Sequence, residues 1–290
     1  MIDVDGLEKR YGDLQAVADV SMSVETGSVF GLVGPNGAGK TSTLKMIAGL
    51  LEPTAGEITV DGRDPGDPAM HRRLGYLPEA SPLYEEMTPR AYLHFFADLY
   101  DVPTATAETR IEEILDRLDL AARDRQVGDF SKGMKRKVGI ARSLVNDPDV
   151  LVYDEPASGL DPVTTATVVS VTRELAAEGK TIIFSAHDLY HVERVSDRVG
   201  IMVDGALAAE GPLARIREEF GTVEYQVSLD VPVAGAQEDG DRFVTTVESM
   251  GAVEELRDRA AAEGGSVLDI RTRESSLEDV FLAVAGDDAG

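Results

Sequence analysis

The stretch that decides the fold of this chain is Gly34-Pro35-Asn36-Gly37-Ala38-Gly39-Lys40-Thr41. It matches G-x-x-x-x-G-K-[S/T], the pattern of a phosphate-binding loop. Residues 29–33 before it are apolar like a short buried strand, and apolar residues at helical spacing follow from Ser42 onward. A glycine-rich loop between a strand and a helix can turn its backbone N–H groups toward an anion. The alternative is a glycine-rich turn that ends in Lys-Thr by chance.

The motif assigns roles to individual residues. Lys40 is expected to reach the β- and γ-phosphates of a nucleotide, and the Thr41 hydroxyl is expected to ligate Mg²⁺. The rest of the predicted cradle consists of Gly34, Pro35, Asn36, Gly37, Ala38, Gly39 and Ser42.

The composition limits the class of protein. The chain has 290 residues, of which 43% are hydrophobic, enough for one large domain or for a large and a small one. It has no apolar run near the roughly 18 residues of a membrane-spanning helix, and its N-terminus does not resemble a signal peptide. The absence of cysteine excludes disulfides and thiolate metal sites. We expect a soluble protein that is not secreted by a signal-peptide route.

The net charge of −25 argues against a nucleic-acid partner, because nucleic-acid binders present basic surfaces. The acidic residues are spread along the chain, and lysine is scarce, with 7 Lys against 21 Arg. A dispersed acidic surface with few lysines is similar to that of proteins from salt-loving organisms, in which salt screens the self-repulsion. An ordinary acidic cytosolic protein remains the alternative.

Two antiparallel strands are predicted within residues 2–26, because apolar and polar residues alternate there. Tyr11 lies between them and is a candidate platform for stacking on adenine. It could equally be a tyrosine on a half-buried hairpin. Residues of about 85–145 are helical in pattern, with Tyr92, Phe95, Phe96 and Leu99 on one amphipathic helix.

The most basic run of the chain, residues 130–137, begins another predicted helix, with Ser131 as its N-cap. Cations at a helix N-terminus oppose the helix dipole, and a bound anion would resolve the conflict. Lys132, Lys135 and Lys137 lie here, and Lys40 and Lys45 lie in or after the phosphate loop. This clustering predicts two phosphate-handling sites; the alternative is a solvated basic face.

Two further strands end in polar residues. The strand 150–153 is followed by Asp154 and Glu155, and the strand that begins at Thr181 ends at His187. Because ligands bind at the carboxyl ends of parallel strands, Asp154 suits Mg²⁺ and Glu155 suits a general base. His187 could contact a γ-phosphate, although a histidine at a strand end is more often a satisfied surface residue.

The chain resembles the ATP-binding subunit of an ABC transporter over residues 1 to about 220. The motifs that carry the resemblance follow in the family's order: loop 34–41, Ser131-Lys132-Gly133-Met134, Asp154-Glu155, Ser158-Gly159-Leu160-Asp161 and His187. The resemblance implies an α/β P-loop NTPase fold with a parallel-sheet core, an antiparallel β subdomain and a helical subdomain at about 85–145. Residues 221–290 are expected to form a small α+β domain of βαβ character with a disordered tail at 286–290. Its segment 276–282 resembles the extension of prokaryotic exporter ATPases for sodium, drugs and antibiotics.

The resemblance also implies a mechanism. Two subunits, either two copies or this chain with a homologous ATPase subunit, would dimerise head to tail and sandwich two ATP molecules. Tyr11 would stack on adenine, and Thr41, Glu79 and Asp154 would manage Mg²⁺. Glu155 would be the base and His187 the γ-phosphate switch. Ser131, Lys132 and Gly133 would contact γ-phosphate of the opposite subunit, and Asp161 would communicate across the dimer.

The implied partner is an integral membrane permease, which would hold this cytoplasmic subunit at the inner face of the membrane. In the family the permease docks near the surface that corresponds to residues 79–92. The chain departs from the family at Lys132, where glycine is usual, and at Glu79, where glutamine is usual; we expect Glu79→Gln to be tolerated. The alternatives are a soluble non-transport ABC ATPase, a regulatory nucleotide switch and an import ATPase.

Overall fold

The structure is a computed structural model, and it describes residues 1–221 and 223–287. The predicted disordered tail was 286–290; Gly286 and Asp287 instead belong to a helix, and residues 288–290 lie outside the described residues. The chain forms two compact units, one at Met1–Leu213 and one that begins at Ala214. In the described part of the chain, no helix is long and apolar enough to span a membrane.

The described strands of the first unit are, in chain order, β1 (Ile2–Tyr11), β2 (Leu14–Val24), β3 (Val29–Val33), β4 (Ala55–Val60), β5 (Leu74–Leu77), β6 (Val150–Tyr153), β7 (Thr181–Ala186), β8 (Arg198–Val203) and β9 (Ala206–Pro212). Its helices are α1 (Lys40–Ile47), α2 (Pro68–His71), α3 (Pro89–Leu99), α4 (Thr104–Arg117), α5 (Lys132–Leu144), α6 (Pro162–Ala177) and α7 (Leu189–Val195), with a 3-10 turn at Val127–Asp129.

The central sheet of this unit has the strand order β5-β6-β7-β3-β8-β9. The neighbouring pairs β5-β6, β6-β7, β7-β3 and β3-β8 are parallel, and β9 runs antiparallel to β8. Every residue of β3, β6 and β7 is buried, which suits strands covered on both faces. The carboxyl ends of β3, β6 and β7 therefore lie along one edge, and the loops that leave them carry the predicted site. The predicted parallel core is confirmed.

The predicted antiparallel subdomain is also confirmed, as a sheet of order β2-β1-β4. Its alternating apolar residues point into one core: Ile2, Val4, Val20, Met22 and Val24 are all buried. Burial of one face and exposure of the other explains the period of two in the sequence.

The helical subdomain consists of α3, α4 and α5, inserted between β5 and β6. Helix α3 begins after Thr88, which caps it by accepting a hydrogen bond from the Ala91 N–H. Tyr92 is buried as predicted, but Phe95 and Leu99 are 39% and 61% exposed. The predicted apolar face of this helix is therefore only partly covered by the described chain.

The second unit contains α8 (Leu213–Phe220, which starts at the boundary), β10 (Val223–Leu229), β11 (Gln237–Asp239), β12 (Arg242–Val247), α9 (Met250–Ala262), β13 (Val267–Glu274) and α10 (Leu277–Asp287). Its sheet has the order β11-β12-β10-β13 with antiparallel pairing. Strands β12 and β13 both pair antiparallel with β10 and are therefore parallel to each other. The segment β12-α9-β13 is thus a βαβ unit whose two strands are separated by β10. The short strand β11 is exposed along its whole length and pairs with β12.

Candidate nucleotide-binding site

The phosphate loop leaves β3 and ends at Gly39, whose φ of 97° lies in the left-handed region. A Cβ on Gly39 would lie 2.3 Å from the Ala16 carbonyl oxygen, so both the backbone conformation and the space require glycine. No described side chain caps α1, and its first turn carries no acidic residue. The N–H groups of this turn are thus free to bind an anion, which the helix dipole also favours.

Lys40 is the first residue of α1 and is 6% exposed. Its Nζ donates to the carbonyl oxygens of Gly34 and Pro35, at 2.7 and 3.0 Å, and lies 4.0 Å from Glu155 Oε1. Burial lowers the pKa of Lys40, and the carboxylates of Glu155, Asp154 and Glu79 partly offset that effect. A buried ammonium held this way is a strong attractor for phosphate.

The two carboxylates after β6 occupy different environments. Asp154 is 1% exposed and accepts hydrogen bonds from Thr41 Oγ1 at 3.1 Å and from Ser185 Oγ at 2.7 Å. Glu155 has a φ of 50°, a strained value for a residue other than glycine. Its N–H donates to Ser185 Oγ at 2.9 Å, and its Oε2 lies 2.8 Å from His187 Nδ1. The chain thus holds Glu155 between a lysine and a histidine.

The donors around Thr41 and Asp154 fit Mg²⁺ in kind. Both offer oxygen, the ligand that Mg²⁺ prefers, and Mg²⁺ in phosphate sites takes one or two protein ligands beside phosphates and water. Among the described residues, no group of three or more His, Cys, Asp or Glu could hold a metal alone. Thr41 and Asp154 offer fewer oxygens than the octahedral shell of Mg²⁺ takes, and bound phosphate and water would supply the rest.

A cleft of about 670 Å³ brings most of the predicted site residues together. It is lined by Tyr11, Leu14, Ala16, Asn36, Gly37, Ala38, Gly39, Lys40, Thr41, Ser42, Glu79, Glu155, Ser158 and His187. Tyr11 is 47% exposed; its hydroxyl lies 3.4 Å from Ser42 Oγ, and Lys9 Nζ lies 5.5 Å from the centre of its ring. Of the other predicted site residues, Gly34, Pro35, Asp154, the segment 131–133 and Asp161 are not among the described residues that line this cleft.

The segment that begins α5 lies instead against the turn before α6. Ser131 caps α5 as predicted, because its Oγ accepts the Met134 N–H at 3.3 Å. A Cβ on Gly133 would lie 2.7 Å from Thr164 Oγ1 and 3.2 Å from Asp161 Oδ2, so glycine permits this close packing. Asp161 caps α6 and accepts the Thr164 hydroxyl at 2.6 Å; these hydrogen bonds, the Thr164 hydroxyl first, lower the pKa of Asp161.

The basic run 130–137 divides into different roles. Lys132 is exposed, and Lys135 Nζ pairs with Glu85 Oε1 at 2.6 Å. Arg136 is 7% exposed and donates to the carbonyl oxygens of five residues: Pro78, Glu79, Asp154, Glu155 and Pro156. Burial lowers the pKa of Arg136 to about 10. This arginine fixes the start of α5 to the carboxylate pair and to the loop after β5.

Sequence reasoning missed Arg136 and Ser185 as site residues. Arg136 was part of a run interpreted as phosphate-handling, and nothing local marks it as buried. Ser185 could have been found, since the parallel pairing of Tyr153 with Phe184 places the next residues, Asp154 and Ser185, side by side.

Comparison with known proteins agrees with this geometry. A family model described as ABC transporter matches residues 17–158. The chain is 35% identical to a daunorubicin resistance ATP-binding protein of Streptomyces coeruleorubidus, over 99% of this chain and 96% of that protein. It is 37% identical to a Nod factor export ATP-binding protein I of Burkholderia orbicola, over 98% and 97%. A solved ATP-binding subunit of an ABC transporter superimposes with a TM-score of 0.70 and 34% identity, over 76% of this chain and 93% of that one.

The similarity to these relatives extends over nearly their whole length, so it includes both compact units of the chain. Loop residues 36–41, Glu155 and His187 line one cleft on the P-loop fold, and Asp154 lies behind Thr41, whose hydroxyl it accepts. The chain therefore belongs to the ATP-binding subunits of ABC transporters and is an ATPase.

Proposed function

We propose that this protein works as a head-to-tail dimer that hydrolyses ATP with Mg²⁺ to power export through a separate membrane permease. The observation that carries the proposal is the group at the floor of the cleft: Glu155 stands 2.8 Å from His187 and 4.0 Å from Lys40. Export is supported by the names of two relatives, one for drug resistance and one for Nod factor export. We also propose two domains, 1–220 and 221–290.

ATP binding would use the whole cleft. The free N–H groups of α1 and the ammonium of Lys40 would hold the β- and γ-phosphates. Tyr11 stands at the cleft with nearly half of its surface exposed, which suits stacking on adenine. Residues Asn36 to Ser42 would wrap the phosphates along the loop.

Hydrolysis would use Glu155 as general base. Its carboxylate is held by the hydrogen bond to His187 and by the charge of Lys40, so one oxygen can face an attacking water while His187 reaches the γ-phosphate. Thr41 and Asp154, with Glu79 at the cleft, would hold Mg²⁺, which neutralises charge on the β- and γ-phosphates when bound.

The position of the segment 131–133 supports the proposed dimer. Ser131 and Lys132 are exposed at the start of α5, next to the buried Gly133, and none of the three is among the described residues that line the cleft. In a head-to-tail pair of copies, or in a pair with a homologous subunit, these residues would face the γ-phosphate bound by the partner. Asp161 lies against Gly133. Through this contact, a change at one ATP site of the dimer would be transmitted to the other ATP site.

The permease would dock beside the helical subdomain, on the surface of residues 79–92. Tyr84 is 55% exposed there and contacts Tyr92 and Phe95 edge to face. This partner would place the protein at the inner face of the membrane. The charge of −25 supports a function without nucleic acid.

The same charge supports an origin in a salt-loving organism. Ion screening would reduce the repulsion among 53 acidic residues. The melting temperature should therefore rise as KCl is raised from about 0.1 M to molar concentrations, by the screening argument. A melting temperature that stays constant or falls over this range would contradict the proposal.

The decisive experiment compares wild type with Glu155→Gln in molar KCl. We expect the variant to lose at least a hundredfold of its ATP hydrolysis, the lower range for a lost general base. Because the amide still fits the site, the variant should bind ATP and accumulate as a dimer, which light scattering detects.

Two outcomes would contradict the proposal. Glu155→Gln could retain near-wild-type turnover, which would exclude Glu155 as the base. Alternatively, both proteins could bind ATP without hydrolysis even when purified with a membrane partner, which would favour a regulatory nucleotide switch.

A further inference from the structure

A small cavity of about 120 Å³ lies between the turn after β6 and the beginning of α7. Its walls come from the turn 155–160, from the end of β7 with residues 184–188, and from Thr165 and His191. Glu155, Ser158 and His187 line this cavity and also line the nucleotide cleft. A change on one side can therefore reach the other through shared side chains.

His191 connects this cavity to the histidine of the site. Its Nε2 lies 3.3 Å from Asp188 Oδ2. Asp188 follows His187 directly and caps α7, since its Oδ1 accepts the Tyr190 N–H at 3.1 Å. One ring nitrogen of His191 thus holds the residue next to His187.

The other ring nitrogen of His191, Nδ1, is buried and has no hydrogen-bond partner among the described residues. The carboxylate at Nε2 favours the tautomer with hydrogen on that nitrogen, so Nδ1 is an acceptor that needs a donor. A buried polar atom without a partner costs stability, and in native proteins it calls for an explanation.

The cavity also contains suitable donors. The hydroxyls of Ser158 and Thr165 border it, and within residues 1–221 and 223–287 neither makes a hydrogen bond. Ser158 belongs to the turn that begins at the strained Glu155. Because Ser158 and His191 line the same cavity, the Ser158 hydroxyl is a candidate donor to Nδ1.

We infer that His191 is a positioning residue: its Nε2 fixes the start of α7 through Asp188, and its Nδ1 accepts the Ser158 hydroxyl when the turn 155–160 closes on the cavity. The closed turn brings Glu155 and His187 to a single geometry for hydrolysis. The inference rests on the proposed function, because the groups that His191 positions are the base and the γ-phosphate switch.

The test uses two amides that each replace one ring nitrogen. His191→Asn keeps a polar atom near Nδ1 and loses the one at Nε2, whereas His191→Gln keeps Nε2 and loses Nδ1. We expect His191→Gln to lower kcat about tenfold, the loss of one hydrogen bond to the closed state. KM for ATP and the melting temperature of His191→Gln should stay near wild type. His191→Asn loses the contact with the exposed Asp188, a smaller loss than that of the buried Nδ1 contact, so its kcat should stay within about threefold of wild type.

The exposed His71, on α2, provides the control, and His71→Gln should behave as wild type. Wild-type kcat in His191→Gln would overturn the inference, because only the contact with Asp188 would then matter. Equal losses in both variants with a lowered melting temperature would also overturn it, because they would indicate packing alone.

Hydrogen exchange of the amides 155–161 with ATP bound separates this inference from the proposed function. Faster exchange in His191→Gln than in wild type and His191→Asn would support the inference even if the subunit did not hydrolyse ATP. Identical exchange in all three proteins would overturn it even if Glu155 proved to be the base.

Discussion

Two helices of this protein begin with glycine and lysine, and they use them in opposite ways. At α1 no described side chain caps the helix, and Lys40 is buried beside Glu155. At α5 Ser131 caps the helix, and the cations disperse: Lys132 is exposed and Lys135 pairs with Glu85. The N–H groups at the start of α1 can therefore bind a ligand, whereas at the start of α5 the Met134 N–H already donates to Ser131.

A basic cluster in the sequence therefore does not by itself define a basic site. The hypothesis of two phosphate-handling clusters treated the cations of 130–137 as equivalent. Arg136 instead donates hydrogen bonds to five backbone carbonyls, and Lys135 forms an ion pair with Glu85. Lys137 is buried, so among the described cations of this run Lys132 is the exposed one that could meet a partner's nucleotide, beside Ser131 and the backbone at Gly133. This is a narrower proposal than a site formed by the whole basic run.

The largest expected effect is at the loop. Lys40→Met should weaken ATP binding at least a hundredfold, because it removes the ammonium and leaves Asp154 and Glu155 without their buried counter-charge. Titration with a fluorescent ATP analogue measures the change. The control is Lys45→Met, an exposed lysine of the same helix, which should bind within about twofold of wild type. If Lys40→Met bound ATP nearly as well as wild type, the contrast between the two helix starts would fail.

The next effect is on stability at the second helix start. Arg136→Met should lower the free energy of unfolding by about 3–5 kcal/mol, because it leaves several carbonyl oxygens without the donor that they share. Its neighbour provides the matched control: Lys135→Met breaks an exposed ion pair and should cost less than about 1 kcal/mol. Urea denaturation in molar KCl measures both. Similar losses of unfolding free energy in the two variants would show that the hydrogen bonds of Arg136 stabilise the fold no more than the exposed ion pair of Lys135.

The smallest effect concerns the contact between Gly133 and the turn before α6. Thr164→Val removes the hydroxyl that holds the pKa of Asp161 below its ordinary value of 3.8, so that pKa should rise. A carboxylate with a lowered folded-state pKa stabilises the fold above its unfolded pKa, and this contribution disappears as pH falls through the folded value. The variant should therefore lose less stability in acid than wild type.

An NMR titration of the Asp161 carboxyl measures this shift directly. Thr167→Val, on the same helix, is the control, because its hydroxyl donates to the Val163 carbonyl and not to Asp161. An unchanged pKa in Thr164→Val would mean that the backbone N–H donors of the cap are sufficient.

Much of the fold could be predicted because its signals are local. The phosphate loop, the Ser131 cap and the alternating strands each depend on residues within a few positions of one another, and the structure confirms them. The prediction was weaker where burial decides. Phe95 and Leu99 have helical spacing but remain exposed, and β11 lacks apolar residues because all of its side chains are exposed.

By itself the sequence determined the chemistry that a single segment can specify: a glycine loop that only glycine can form, a lysine and a threonine at its end, and two carboxylates after an apolar strand. The tertiary structure decided which charges are buried and what they contact. Arg136 joins segments some 20 and 58 residues away, and His191 meets a cavity built from three elements. Charges acquire their roles from desolvation and from partners distant in the chain, and neither is present until the chain has folded.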